Sequence, residues 1–182
     1  MDVVATGPDD EALLLDLLNT TPVVDGVPGD DLEQPEAASA WMRERGVAAT
    51  HTELTALREV RAALQAVVRG TQTASALQRF LDAVTLRPVA IDDGLRWQIG
   101  VSEGPRGAVR AVLAWDALRI SSPGRLRPCA NTECHLFLID RSKPNTARWC
   151  SMAICGNRMK ARRHYRRSRL TFAEGRHHNP TP

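Results

Sequence analysis

The sequence predicts a mainly α protein: a helical N-terminal domain with a small β-hairpin, followed by a small cysteine-stapled module ending in a basic helix. Three observations carry that prediction. Apolar residues recur at helical spacing through most of residues 11 to 118. The only four cysteines fall in two matched pairs, Cys129-x4-Cys134 and Cys150-x4-Cys155. Seven cations with no acid among them occupy residues 158 to 169.

The elements follow in order. Residues 11 to 18 are apolar apart from Glu11 and Asp16, and Asp9, Asp10 and Glu11 stand where a helix N-terminus favours anions, so a buried first helix is expected. Pro22, Gly26, Pro28 and Gly29 make residues 20 to 34 a turn-rich loop. A second helix over 35 to 45 stops at Gly46, with Ala38 and Trp41 facing inward. Over residues 52 to 69, Leu54, Leu57, Arg61, Leu64 and Val68 share one face, only Arg61 breaks the apolar stripe, and Gly70 closes the helix. Leu77, Phe80, Leu81 and Val84 extend the same periodicity, which predicts a helix over 73 to 86 stopped by Arg87-Pro88. A hairpin follows, with residues 89 to 91, the turn Asp92-Asp93-Gly94, and the alternating Leu95, Trp97, Ile99 and Val101. A fifth helix over 105 to 118 buries Val109, Val112 and Leu113. Ser122-Pro123-Gly124 reads as a hinge, giving domains of 1–124 and 125–170 and a polar tail of 171–182. Trp41, Trp97 and Trp115 read as core rather than as a pocket.

The net charge of +3 conceals a division. Residues 1 to 124 hold 11 Arg and no Lys against 18 Asp and Glu, a net of −7. Residues 125 to 169 hold 12 cations against Glu133 and Asp140, a net of +10. The end that suits a polyanion is therefore the cysteine-bearing one. No apolar run reaches the ~18 residues of a membrane span, and no signal segment opens the chain. The expectation is a cytoplasmic protein with no membrane partner.

Each Cys-x4-Cys turn brings two sulfurs into one coordination sphere, and four thiolates complete a tetrahedral zinc with no open position for water. Such a site holds a fold together and leaves the ion no catalytic role. The alternative is a disulfide framework with three possible connectivities; a chain long enough for an ordinary core and without a secretion signal favours one structural Zn2+ held by Cys129, Cys134, Cys150 and Cys155. Residues 136 to 139 form a short apolar run suited to a strand, Lys143-Pro144-Asn145 a turn, and Ser151 a cap for a helix that starts inside the second cysteine pair. Knuckle, short hairpin and helix carrying the last ligand describe a treble-clef-like zinc finger.

The stretch from Arg127 to Ser142 and then Arg148-Trp-Cys-Ser-Met-Ala-Ile-Cys-Gly-Asn-Arg158 resembles the CGNR zinc finger, named for Cys155, Gly156, Asn157 and Arg158. Upstream, Leu13-Leu-Leu-Asp-Leu-Leu-Asn19-Thr20, the Trp41 segment and Leu57-Arg58-Glu59 resemble the ABATE domain that commonly precedes this finger. The resemblance implies a bacterial, stress-linked transcription regulator that binds DNA.

The candidate nucleic-acid ligands are Asn157, Arg158, Lys160, Arg162, Arg163, Arg166, Arg167 and Arg169. On a helix the cations spread over about 200° of arc, with Ile154, Ala161 and Tyr165 forming a small docking stripe opposite. Asn157 has a second reading as a local backbone hydrogen-bonder. RNA is the alternative ligand, and an acidic protein surface the alternative class of partner, using the same basic helix. Asp16 and Asn19, polar groups on an apolar helix, are candidates for a small-molecule ligand of a sensory N-terminal domain or for a structural anchor, since buried polar groups need partners. His135 reads as a surface or outer group rather than a fifth ligand. No phosphate loop, nucleophile elbow or His-Glu-x-x-His pattern is present, so no enzymatic activity is expected. Oligomeric state has no signature in the chain.

Overall fold

The computed structural model describes residues 7–101 and 104–174. Helix α1 (Pro8–Leu18) starts at an Asp10 carboxylate that accepts the Gly7 N–H, and buries Leu13, Leu14, Leu17 and Leu18 completely. Strands β1 (Val23–Val24) and β2 (Val27–Pro28) form a minimal hairpin in the loop that follows. Next come α2 (Pro35–Glu44), with Pro35 in its first turn, and α3 (His51–Arg69), capped by the Thr50 hydroxyl and closed by Gly70 at φ +75°. A 3-10 turn (Ala74–Phe80) leads into the ribbon β3 (Val84–Ile91) and β4 (Gly94–Val101), and α4 (Arg106–Ser121) completes the domain. Helices α1, α3 and α4 pack on one another around a core that also takes Leu32, Ala38, Met42 and Leu77. No described helix is long and apolar enough to cross a membrane.

Three sequence expectations need correction. The helix predicted over 73 to 86 is a single 3-10 stretch followed by a strand: Leu77 is buried and Phe80 and Leu81 pack on the core as the spacing requires, but Val84 already opens β3. β-branched Val84 and Thr85 favour extended backbone, and so does the position before Pro88. Pro88 is tolerated inside β3 because both strands of an isolated ribbon are edge strands. The second correction is Trp97, which pairs with Pro88 on the ribbon and stays 38% exposed, not in the core. Third, Trp41 and Trp115 pack against the core only in part, with the guanidinium of Arg45 over the Trp41 ring.

Two buried charges on α3 organise the domain. Arg61, the break in the apolar stripe, donates to both carboxylate oxygens of Asp30 at 2.6 Å and to the Thr20 hydroxyl at 2.7 Å, clamping the 20–34 loop. Glu53, 4% exposed, accepts from the backbone N–H groups of Gly107 at 2.8 Å and Ala108 at 3.3 Å. These are orphan donors of the first turn of α4, so a carboxylate there satisfies both the hydrogen bonds and the helix dipole. A Cβ on Gly107 would lie 2.8 Å from Val47 and 2.9 Å from the Glu53 oxygen, so glycine is what lets the carboxylate in.

Burial nonetheless pushes the Glu53 carboxyl above its ordinary pKa, outweighing those hydrogen bonds. Its contribution to stability is then full below the ordinary carboxylate range and is lost as pH rises through the raised folded value. Glu53→Gln keeps an oxygen facing the two N–H groups without a charge. This variant should therefore gain on wild type between about pH 4 and pH 7. Urea unfolding at the two pH values checks this, and a constant difference would refute it.

Candidate metal centre and basic helix

After α4 the chain turns through Gly124, at φ +71°, into β5 (Leu126–Pro128), which pairs antiparallel with β6 (Phe137–Ile139) in the register Leu126↔Ile139, Arg127↔Leu138, Pro128↔Phe137. The first cysteine pair sits at the tip of this hairpin. Cys129 N–H donates to Leu136 O at 2.8 Å, and Cys134 N–H to Asn131 O at 2.8 Å, which fixes the knuckle. The second pair belongs to the helix start: Ser151 accepts from Ile154 N–H, a wide π-type turn (Met152–Gly156) carries Cys155, and α5 (Asn157–Glu174) continues from it. Ala130 N–H bonds to Arg148 O at 2.8 Å and ties the two halves together.

The four Sγ atoms lie within 4.8 Å of one another. Cys134–Cys150 and Cys150–Cys155 are each 3.7 Å apart, far beyond a disulfide and close to the ~3.8 Å edge of a tetrahedron with ~2.3 Å zinc–sulfur bonds. The donor set fits one structural zinc. In the metal-free state, burial is the largest cause holding the Cys134 thiol up at about 11, and it raises Cys150 as well. Burial would also raise Cys155, but the Asn131 amide and the neighbouring sulfurs bring it below the ordinary thiol value. Zinc binding must therefore drive protons off the buried thiols.

Asn131 is the functional residue that sequence reasoning missed. It is fully buried, donates Nδ2 to Cys155 Sγ at 3.6 Å and accepts the Glu133 N–H at 3.4 Å. A turn-forming Asn between two ligand cysteines was the available signal. Asp140 is the second organiser: it accepts Ser142 N–H at 2.8 Å and Ala147 N–H at 2.7 Å and pairs with Arg127. The hydrogen bond from Ser142 heads the causes that hold its carboxyl below the ordinary range.

The finger is not a separate bead. Phe137, 1% exposed, belongs to the core of the N-terminal domain, with Leu126 and Ile139 packed beside it. Asn19 acts as a one-residue strand partner, its Oδ1 accepting Phe137 N–H at 2.7 Å and its Nδ2 donating to Phe137 O at 3.2 Å. Arg69 lies 4.5 Å above the Phe137 ring and donates to His135 O. Asn19 is thus an anchor between the halves, while Thr20 beside it accepts from Arg61. Asp16 pairs with Arg45 at 3.0 Å on the rim of an open cleft of about 550 Å³ that also includes Asp9, Glu44 and Arg110. His135 is exposed.

Helix α5 leaves the zinc centre into solvent. Asn157, Arg158, Lys160, Arg162, Arg163, Arg166 and Arg167 are all exposed; Arg169 lies on the same helix, its side chain outside the described set. The expected docking stripe is not one: Ile154 is 60% and Tyr165 73% exposed, and Ala161 is exposed too. The metal ligand and the capped turn hold the helix in place of apolar packing. Arg162 forms an ion pair with Glu133 of the first knuckle, which keeps that carboxyl below its ordinary range. Asn157 Nδ2 donates to Ala153 O at 3.2 Å, the local bond considered as its second reading.

Fold and site together define a metal-finger protein, a helical domain with a four-cysteine zinc module built onto its core. A family model described as "Putative stress-induced transcription regulator", the ABATE family, matches residues 11–122, and the model of the CGNR zinc finger matches residues 125–168. The chain belongs to the ABATE family and carries a CGNR zinc finger. No curated protein matches it.

Proposed function

We propose that the chain is a bacterial, cytoplasmic transcription regulator that binds DNA through α5 and has no catalytic activity of its own. One observation carries this reading: a helix fixed at its start by a zinc ligand projects an exposed arc of cations, Arg158, Lys160, Arg163, Arg166 and Arg167, while Arg162 pairs with Glu133 of the knuckle. Each cation laid on a phosphate releases condensed counterions, so affinity falls steeply with salt. The N-terminal domain has a sensory place in this scheme. The cleft beside Asp16 supports it, as does the Asn19 anchor, which joins α1 directly to the finger.

The zinc-loaded chain should bind duplex DNA at low salt, with log K linear in log salt. Replacing Arg158, Arg163 and Arg167 by Ala should flatten the slope by about 0.9 for each phosphate that is no longer neutralised. Fluorescence anisotropy across a salt series measures it. Absence of DNA binding by the zinc-loaded chain at low salt would end the reading. Tighter binding to single-stranded RNA than to duplex DNA would transfer it to RNA.

A further inference from the structure

The structure re-sorts the sides of α5: Ala161, expected from the sequence on a docking stripe with Ile154 and Tyr165, is exposed. Met159, half-buried, and Arg162, paired with Glu133, mark the side turned toward the finger. At about 100° per residue, the opposite side is centred on Asn157 and His164, with Lys160 and Ala161 between them. These four occupy positions i, i+3, i+4 and i+7, one straight stripe on the outer face, and all are exposed. Arg158 falls on one flank of the stripe, and Arg163 and Arg167 fall on the other.

We propose that Asn157, Lys160, Ala161 and His164 form the base-reading stripe of α5, and that this stripe faces the floor of a DNA major groove. The inference rests on the DNA-binding reading above and adds which residues specify sequence. The major groove, about 12 Å wide, admits a single helix; side chains on its leading edge then meet base edges while those on both flanks meet the phosphates of the two strands. The stripe carries chemistry suited to that floor. Lys160 is a donor for guanine O6 and N7, the Asn157 amide matches adenine once it exchanges its exposed 3.2 Å bond to Ala153, and the Ala161 methyl fits the thymine methyl. The flanks carry arginine on both sides, as clamping of two backbones requires. The alternative RNA fits this arrangement less well: the A-form major groove is too narrow for side chains, and single-strand recognition relies on several stacking aromatics, of which the stripe offers the His164 ring alone, Tyr165 and Phe172 standing elsewhere on α5. From Asn157 to His164 the stripe is about 10 Å long, enough for three to four base pairs.

The test is selection of duplex sites from random DNA with the full zinc-loaded chain, then affinity for the selected site and for its single-base-pair variants. A core of about three to four specified base pairs is expected. Lys160→Ala and Asn157→Ala should each cut discrimination at one position by about five- to a hundred-fold. Arg163→Ala should instead weaken all sequences alike, leaving the ratio between sites unchanged. Methylation of guanine N7, which lies in the major groove, should block binding, while methylation of adenine N3, in the minor groove, should not. Unchanged discrimination in both stripe variants, or interference confined to adenine N3, would overturn the stripe while leaving DNA binding intact. Failure to bind any duplex at low salt would overturn the function itself, and the stripe with it.

Discussion

Stripping the zinc should destabilise the whole chain and not the finger alone. Read as two domains joined at Ser122-Pro123-Gly124, the sequence leads to the opposite expectation, that a Cys150→Ser variant unfolds the finger and leaves the N-terminal helices standing. The geometry removes the basis for that separation. The hairpin that holds Cys129 and Cys134 at its tip also carries Phe137, which is buried to 1% exposure among the residues of the N-terminal core and is pinned by both hydrogen bonds of Asn19. A finger without metal has too little core of its own to keep the hairpin in register. Loss of a buried Phe from a core costs about 3–5 kcal/mol, a large share of the roughly 5–15 kcal/mol typical of a whole domain. Thermal melts followed by circular dichroism should show one transition for the zinc-loaded chain. That transition should move down by about 6–20 °C on chelation or in Cys150→Ser, at roughly 2–4 °C per kcal/mol for a chain of this size. A high-temperature transition that stays in place after metal loss would restore the independent finger.

How far the sequence could be read follows from where the information lies. The zinc site was legible because a chelate is local: four cysteines in two short loops leave the chain few ways to place their sulfurs, and the 3.7 Å separations follow. The helices α1, α2, α3 and α4 were legible from periodicity and caps. The segment from Ala74 was not, because a 3-10 turn and the start of a strand happened to space Leu77, Phe80, Leu81 and Val84 as a helix would. Asn131 and the Asn19–Phe137 pair escaped for a different reason. Their roles are long-range or concern orientation around the metal, and a polar residue's type does not announce a partner 118 positions away. The basic helix was visible as a charge run, but its inner side was misassigned to Ile154, Ala161 and Tyr165, since the sides depend on how Glu133 and the half-buried Met159 are placed by the finger's own fold.

Truncating Arg61 should be the most damaging single change within the N-terminal domain. Its side chain is 8% exposed, and the guanidinium holds Asp30 through two 2.6 Å bonds and Thr20 through a third. Breaking a buried pair from one side costs about 3–5 kcal/mol, because the remaining charge keeps its desolvation cost and loses its compensation. Burial would raise the Asp30 pKa, but the bonds from Arg61 and the Leu32 N–H outweigh it and hold it below the ordinary carboxylate range. The pair's contribution is therefore full above that range and lost as pH falls through the depressed folded value. In Arg61→Ala the burial effect is left with less opposition, so the deficit relative to wild type should shrink under acid conditions. The double variant Arg61→Met, Asp30→Leu removes both charges and should lie much closer to wild type than Arg61→Ala at neutral pH. The consequence reaches the finger through one peptide bond. Thr20, which receives the Arg61 bond, is the neighbour of Asn19, which holds the Phe137 amide at 2.7 Å. Hydrogen exchange at Phe137 should accelerate in Arg61→Ala and stay near wild type in the double variant, in step with their unfolding free energies. A Phe137 amide that keeps its protection in an Arg61→Ala chain destabilised by several kcal/mol would mean that the loop clamp and the finger anchor are separate devices, joined in sequence but not in energy.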